Sequence, residues 1–217
     1  MNLLVFGATG GTGRACIEQA LARGWRVTAF LRDPAKLQLE HPNLSLAVGD
    51  VLRASTIEHA YESSPFDACV CSLGVFHSRP STELSDGTRN VIEALEARGP
   101  RRIVLISTLG TAESRAHGNL FVKFFTRIVL RHVLADKLRQ EALLRNGTLD
   151  YTILRPPQLV DEAIGQHPVC WWGSDLPRDM QPLWKIARAD VAAFARDAIE
   201  RNCFVREAIQ LSWRRGP

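Results

Sequence analysis

The sequence predicts a single α/β domain built on a doubly wound, mostly parallel sheet with helices on both faces. Three observations predict it. Short apolar runs alternate with segments of helical periodicity along the chain, the pattern of repeated strand–helix–strand units. Several runs are apolar throughout rather than alternating, as in strands covered on both faces. The first run leads directly into Gly7-Ala8-Thr9-Gly10-Gly11-Thr12-Gly13 at the start of a helical segment, the place where a parallel α/β sheet turns its chain around.

The elements follow in order. A strand over 3–6 is followed by a helix over 13–23, closed by Gly24. Strands over 26–31 and 44–48 come next, then a helix over 55–62 in which Ser55 and Glu58 have the spacing of a capping box. The strand over 68–72 carries Cys69 and Cys71 on one face, because strand side chains alternate. A helix over 85–98 stops at Gly99, and a strand over 103–106 follows. A helix over 120–145, a strand over 151–154, a helix over 190–200 begun by Asp190 and a strand over 208–211 complete the chain. The domain spans 1–217, its core about 2–211, with neither an internal repeat nor a low-complexity linker.

Two stretches depart from this rhythm. Over 120–133, Phe121, Phe124, Phe125, Ile128, Val129 and Val133 recur at helical spacing with Lys123, Arg127 and Arg131 between them. Such a helix packs on the sheet or on a protein partner, or lies on a membrane surface. Residues 160–183 carry Trp171, Trp172 and Met180 without clear periodicity. Long connections of this kind serve a site, and this one is expected to reach over the carboxyl edge of the sheet.

Composition narrows the function classes. The chain has 217 residues, 46% of them apolar, and a formal net charge of +4, enough chain to bury one full core. A pI of about 9.0 agrees with an acidic ligand, yet Lys and Arg are spread evenly, so no nucleic acid partner is expected. The five cysteines show no C-x-x-C spacing, which argues for core packing in a reducing cytoplasm and against a metal site. No apolar run reaches the roughly 20 residues of a membrane span, and no signal peptide is visible.

The glycine loop carries the clearest chemistry. Gly7 permits a tight turn and Gly10 lets the backbone approach a pyrophosphate. Gly13 allows the helix to lie close to the strand, with its N-terminal N–H groups facing the anion. The chain thus begins as a dinucleotide-binding Rossmann fold. The second strand ends at Leu31-Arg32-Asp33. An acidic residue there bonds a ribose 2′-hydroxyl, whereas an arginine accommodates a 2′-phosphate. With Val27, Ala29 and Leu31 on one face, Arg32 takes the other and Asp33 lies past the end. NADP(H) is favoured, with NAD(H) as the alternative and Arg14 as a second positive group.

Beyond that loop, Gly49-Asp50-Val51, Ser72-Leu73-Gly74, Gly87-Thr-Arg-Asn-Val-Ile92 and Leu149-Asp-Tyr-Thr-Ile-Leu-Arg-Pro156 resemble the atypical short-chain dehydrogenase/reductases. Within them the chain is similar to the NAD(P)H-binding group that contains biliverdin reductase B (flavin reductase) and NmrA-like proteins. The resemblance runs from about residue 2 to residue 211. It implies that Gly7, Thr9, Gly10, Gly11, Thr12 and Gly13 hold the pyrophosphate and Arg32 the 2′-phosphate. It further implies that Asp50 and Val51 lie against adenine, and Leu73 and Gly74 near the nicotinamide-side ribose. Ser107, Thr108, Pro156, Pro157, Gln158 and Leu159 would line the nicotinamide site.

Neither Tyr61 nor Tyr151, the two tyrosines of the chain, has a lysine four residues on. The Tyr-x-x-x-Lys pair of the best-known branch is therefore absent, which argues against alcohol dehydrogenase or epimerase chemistry. Lys137 stands in the matching helix and would bond the nicotinamide ribose, or else pair with Glu141 on the helix surface. Ser107 would polarise a substrate carbonyl, or simply end a strand. His77, His117 and His132 are weaker acid candidates. The expectation is an NADPH-dependent reductase of a small aromatic or quinone/flavin-like acceptor, as such π systems take hydride and draw the proton from solvent. The alternative is a non-catalytic NADP(H)-sensing regulator that binds a protein through the 120–133 helix. Either is expected to be a monomer or homodimer.

Overall fold

Strand β1 (Asn2–Phe6) is buried at every position because it is paired on both sides, with β2 (Arg26–Leu31) on one and β4 (Ala68–Cys71) on the other. These come from a computed structural model that describes residues 1–61, 65–74, 79–111, 131–161, 168–172 and 182–213. The remaining strands are β3 (Leu44–Val48), β5 (Arg102–Ile106), β6 (Asp150–Arg155), β7 (Gln158–Val160), β8 (Pro168–Trp172), β9 (Lys185–Ala187) and β10 (Glu207–Trp213). The helices are α1 (Gly11–Ala22), α2 (Ala54–Tyr61), α3 (Glu83–Arg98), α4 (Arg131–Asn146) and α5 (Arg188–Glu200), with a 3-10 turn at Pro34–Lys36.

The sheet order is β3-β2-β1-β4-β5-β6-β10-β8. The chain winds outward from β1 to β3, crosses back, and winds the other way from β4. The reversal leaves a crevice at the carboxyl ends of β1 and β4, where ligands of open α/β sheets bind. The two faces carry separate cores. On one, Ile17, Ala20 and Leu21 of α1 and Val191, Ala192 and Ala195 of α5 pack on Val5, Ala29 and Val70. On the other, Ile57 of α2, Val91 and Leu95 of α3 and Leu144 of α4 cover Leu4, Phe6, Cys69 and Cys71. The two β4 cysteines do share a face. The result is one Rossmann-type domain, as the apolar rhythm predicts.

The structure corrects several local expectations. Helix α2 begins at Ala54, so Ser55 lies in its first turn and forms no capping box. Thr56 ties down this corner instead, its Oγ1 donating to Asp50 O and accepting from Asp50 N at 2.8 and 3.0 Å. Within 160–183, the Trp-bearing part is not a loop over the carboxyl edge. It is β8, which runs antiparallel along β10 with Trp171 opposite Gln210. Trp171 is buried and Trp172 exposed, as alternation on an edge strand requires, and neither lines the cleft described below. Met180 lies outside the described residues, as does 120–130 of the apolar segment. No helix among the described residues is long and apolar enough to cross a membrane.

Candidate functional site

At the carboxyl end of β1 the glycine loop rests on the turn after β4. Gly7 has φ +77, and a Cβ there would stand 2.3 Å from Ser72 O. Both the dihedral and the approach demand glycine. Gly10 N donates to Gly7 O at 3.1 Å, closing the turn. A Cβ on Gly13 would meet Gly7 O at 2.2 Å, so Gly13 lets α1 seat against the loop. Gly13 is itself buried behind the loop and does not line the cleft. The N-cap Gly10 offers no side chain to the helix, and the first turn of α1 holds no acidic residue. The N–H groups of that turn are thus left for an anion, which fits a dinucleotide's diphosphate.

The loop forms one wall of a cleft of about 500 Å³. Gly7, Thr9, Gly10, Gly11 and Thr12 line it together with Arg32, Asp50 and Val51 at one end. Leu73, Gly74, Ser107, Thr108, Lys137, Pro156, Pro157 and Leu159 line the other. Gln158 is exposed and points away, because successive residues of β7 face opposite sides. Arg32 is exposed at the cleft edge, whereas Asp33 does not line the cleft; its Oδ1 accepts from Ala35 N at 3.1 Å and caps the 3-10 turn. Arg14 does not face the cleft. It pairs with Glu18, Nε to Oε1 at 2.9 Å, on the outside of α1.

Helix α4 supplies the buried polar floor. Asp136 reaches the N-terminus of α3, accepting from Leu84 N at 2.9 Å, Ser85 N at 3.2 Å and Ser85 Oγ at 2.5 Å. The next residue, Lys137, is buried rather than on the surface. Its Nζ donates to Leu73 O and Ile106 O, each at 2.9 Å, tying the end of β5 to the turn after β4. Burial pulls its pKa down to about 8, with Cys71, Glu141 and Asp136 pulling the other way. One N–H of the ammonium is left over after those two bonds.

Glu141 does not pair with Lys137 across the helix turn. Its carboxylate faces Arg155, Nη2 to Oε2 at 2.5 Å, and accepts from Ser107 Oγ at 2.6 Å and Thr111 Oγ1 at 2.8 Å. Ser107 therefore spends its proton on Glu141 and presents a lone pair to the cleft rather than a donor. Tyr61 packs edge-on against Phe66, and Tyr151 lies beneath the Arg206 guanidinium. Neither lines the cleft. His132 accepts from Arg131 Nε at 3.0 Å and does not line it either, while His77 and His117 lie outside the described residues.

Phe30, Gly49, Leu84, Val133 and Arg188 also line the cleft, and sequence reasoning missed them as site residues. Val133 ends the 120–133 segment, and this last apolar residue lines the cleft. Arg188 opens α5 directly after β9, a strand-to-helix turn at the carboxyl edge. Its one signal was the arginine preceding the helix start at Asp190.

Comparisons with known proteins identify the family and the fold. The NAD(P)H-binding family model matches residues 7–202. A Saccharomyces cerevisiae protein, UPF0659 protein YMR090W, is 30% identical over 97% of this chain and 92% of its own length. Photosystem II assembly factor Ycf39 of Synechocystis is 26% identical over 95% of this chain. The chain spans 61% of that factor and 60% of a chloroplastic Arabidopsis thaliana relative that is 28% identical. Among solved structures, ChuY of E. coli CFT073 superposes with a TM-score of 0.77 at 25% identity, covering 98% of this chain and 97% of that one. A Veillonella parvula short-chain dehydrogenase/reductase solved in complex with NADP gives 0.76 at 17% identity, covering 97% and 94%, and shares the fold.

Proposed function

The chain belongs to the NAD(P)H-binding family, and from that premise we propose that it is an NADPH-dependent reductase of a small, flat aromatic or quinone/flavin-like acceptor. One observation carries the reading. A single cleft joins the glycine loop and Arg32 to Ser107, Lys137 and an apolar end formed by Leu84, Val133, Pro156, Pro157 and Leu159. A phosphate-binding end continuous with an apolar end fits a dinucleotide with a flat acceptor beside its reactive ring. ChuY of E. coli O157:H7, described as an anaerobilin reductase, shares the fold at a TM-score of 0.77.

The bound nicotinamide supplies the hydride; the chain supplies position and charge. Arg32 lines the cleft where it would read a 2′-phosphate and Asp33 does not line it, so NADP(H) is preferred to NAD(H). Lys137 keeps a positive charge beside the nicotinamide-side ribose, held in place by Leu73 O and Ile106 O. The Ser107 oxygen accepts from an N–H of the nicotinamide carboxamide or the acceptor. With no tyrosine on the cleft wall among the described residues, the proton reaches the reduced acceptor from solvent or from Lys137 Nζ. A π system that delocalises the incoming charge tolerates this; a simple ketone does not. The five free cysteines suit the reducing cytoplasm we propose as its compartment.

The test is NADPH oxidation with flavin, quinone and linear tetrapyrrole acceptors. Turnover above background with at least one of them supports the reductase. Tight NADPH binding without turnover would overturn it in favour of the cofactor-sensing regulator, for which the tyrosine-free cleft also speaks.

A further inference from the structure

We propose that Arg188 is the side-chain cation for the diphosphate of the bound dinucleotide, delivered to the glycine loop by the packing of α5 on α1. This rests on the NAD(P)H-binding reading and is independent of the acceptor. The two helices lie side by side and run the same way. Gln19 Nε2 donates to Ala189 O at 2.7 Å, and at the far ends Arg23 pairs with Glu200 at 2.8 Å. Their contact uses small buried side chains, Ala20 on α1 and Ala192 and Ala195 on α5. From that packing the side chain of Arg188, the first residue of α5, reaches Gly11, the first residue of α1.

Arg188 accordingly lies flat across the glycine loop. A Cβ on Gly11 would stand 2.6 Å from its Cδ and 2.8 Å from its Nε. The N-terminal N–H groups of a helix do not require glycine at that position. Here the missing side chain is the space the arginine occupies. Arg188 lines the same cleft as the uncapped start of α1, so a side-chain cation and a fixed row of N–H donors would converge on one anion.

Its acidic partner is a weak competitor. Arg188 Nη1 lies 2.7 Å from Asp161 Oδ1, and the Asp161 side chain is 84% exposed. An exposed pair of this kind contributes about 0–1 kcal/mol. A diphosphate engages the planar guanidinium through two oxygens and shares the α1 N-terminus, which favours exchange. Arg32 and Arg188 then divide the work: Arg32 distinguishes NADP from NAD, while Arg188 binds the part common to both.

The proposal is tested by fluorescence titration of the full chain with NADP⁺, NAD⁺ and 2′-AMP, alongside ligand-free thermal unfolding. Arg188→Ala is expected to weaken NADP⁺ and NAD⁺ alike, by about tenfold or more, and to leave 2′-AMP unchanged. Gly11→Ala, which pushes the arginine off the loop, is expected to cause a similar loss alone and no further loss in the Arg188→Ala background. Asp161→Asn, which frees the guanidinium and keeps the fold, is expected to tighten both dinucleotides. Unchanged dinucleotide affinity in Arg188→Ala, a loss confined to NADP⁺, additive effects of Gly11→Ala and Arg188→Ala, or weaker binding in Asp161→Asn would each overturn it. If the unaltered chain bound neither dinucleotide, the cofactor reading would fall as well.

Discussion

Glu141 and Arg155 face each other in the protein interior, Nη2 to Oε2 at 2.5 Å, with side chains 2% and 0% exposed. The pair joins α4 to the end of β6, and Arg155 immediately precedes the cleft residues Pro156 and Pro157. Removing one partner leaves a buried charge uncompensated. Arg155→Met is expected to destabilise the fold by about 3–5 kcal/mol, read from denaturant unfolding. Glu141→Gln, which keeps the shape, is expected to cost less than Glu141→Ala. A loss within experimental scatter for Arg155→Met would show that the pair contributes no cohesion.

Lys137 gives a pH-dependent signature with a definite sign. Its folded pKa of about 8 lies below the ordinary lysine value of 10.5, so between those limits the unfolded chain binds the extra proton. Stability from this group therefore rises with pH across the window from about 8 to 10.5. Buried thiols work against it, since burial pushes Cys16 and Cys69 up and their contribution is lost as pH rises. The expected outcome concerns the difference: wild-type unfolding free energy minus that of Lys137→Met climbs through the window. A flat difference would place the lysine pKa at its ordinary value. Under the proposed function, turnover also falls as pH passes about 8, and Lys137→Met lacks that limb.

The cofactor preference is checked at Arg32. A charged hydrogen bond to a phosphate contributes about 1.5–3 kcal/mol, so Arg32→Glu is expected to weaken NADPH by roughly 10- to 100-fold or more. NADH should change little. Equal losses for both cofactors, measured by titration, would remove Arg32 from the 2′-phosphate.

Asp136 caps a helix other than its own. The N-cap residue of α3, Thr82, makes no side-chain cap bond, and the carboxylate that serves Leu84 N and Ser85 N comes from α4. Asp136→Ala is expected to cost about 1–3 kcal/mol, the range for unpairing buried donors, seen as a lower thermal midpoint. Asp136→Asn should recover part of it. Full stability in Asp136→Ala would mean that α3 finds another cap.

Much of this was legible in the chain. Short apolar runs located the seven parallel-paired strands β1 to β6 and β10 to within a few residues, most sharply where burial on both faces leaves no polar position, as in β1, β4 and β5. The glycine loop and Arg32 were readable because phosphate approach and strand ends impose residue types locally, whereas Ser107 and Lys137 were reached through the family resemblance. Edge strand β8 was not, because its Pro-Val-Cys-Trp-Trp acquires strand character only from its ladder with β10. The Ser55 cap failed because Ala54 already belongs to the helix.

By itself, then, the sequence determined the sheet, the position of its cofactor loop and the absence of a Tyr-x-x-x-Lys pair. These are written in local periodicity and in residue types that one turn or one strand end demands. Tertiary structure alone decided who meets whom. It turned Lys137 inward to two backbone carbonyls, gave Glu141 to Arg155 and Ser107, capped α3 with Asp136, sent Arg14 outward and brought Arg188 across Gly11. Such contacts join residues up to 177 positions apart, as Arg188 and Gly11 are. They depend on helix register and on burial that penalises every unpaired charge, which no local pattern encodes.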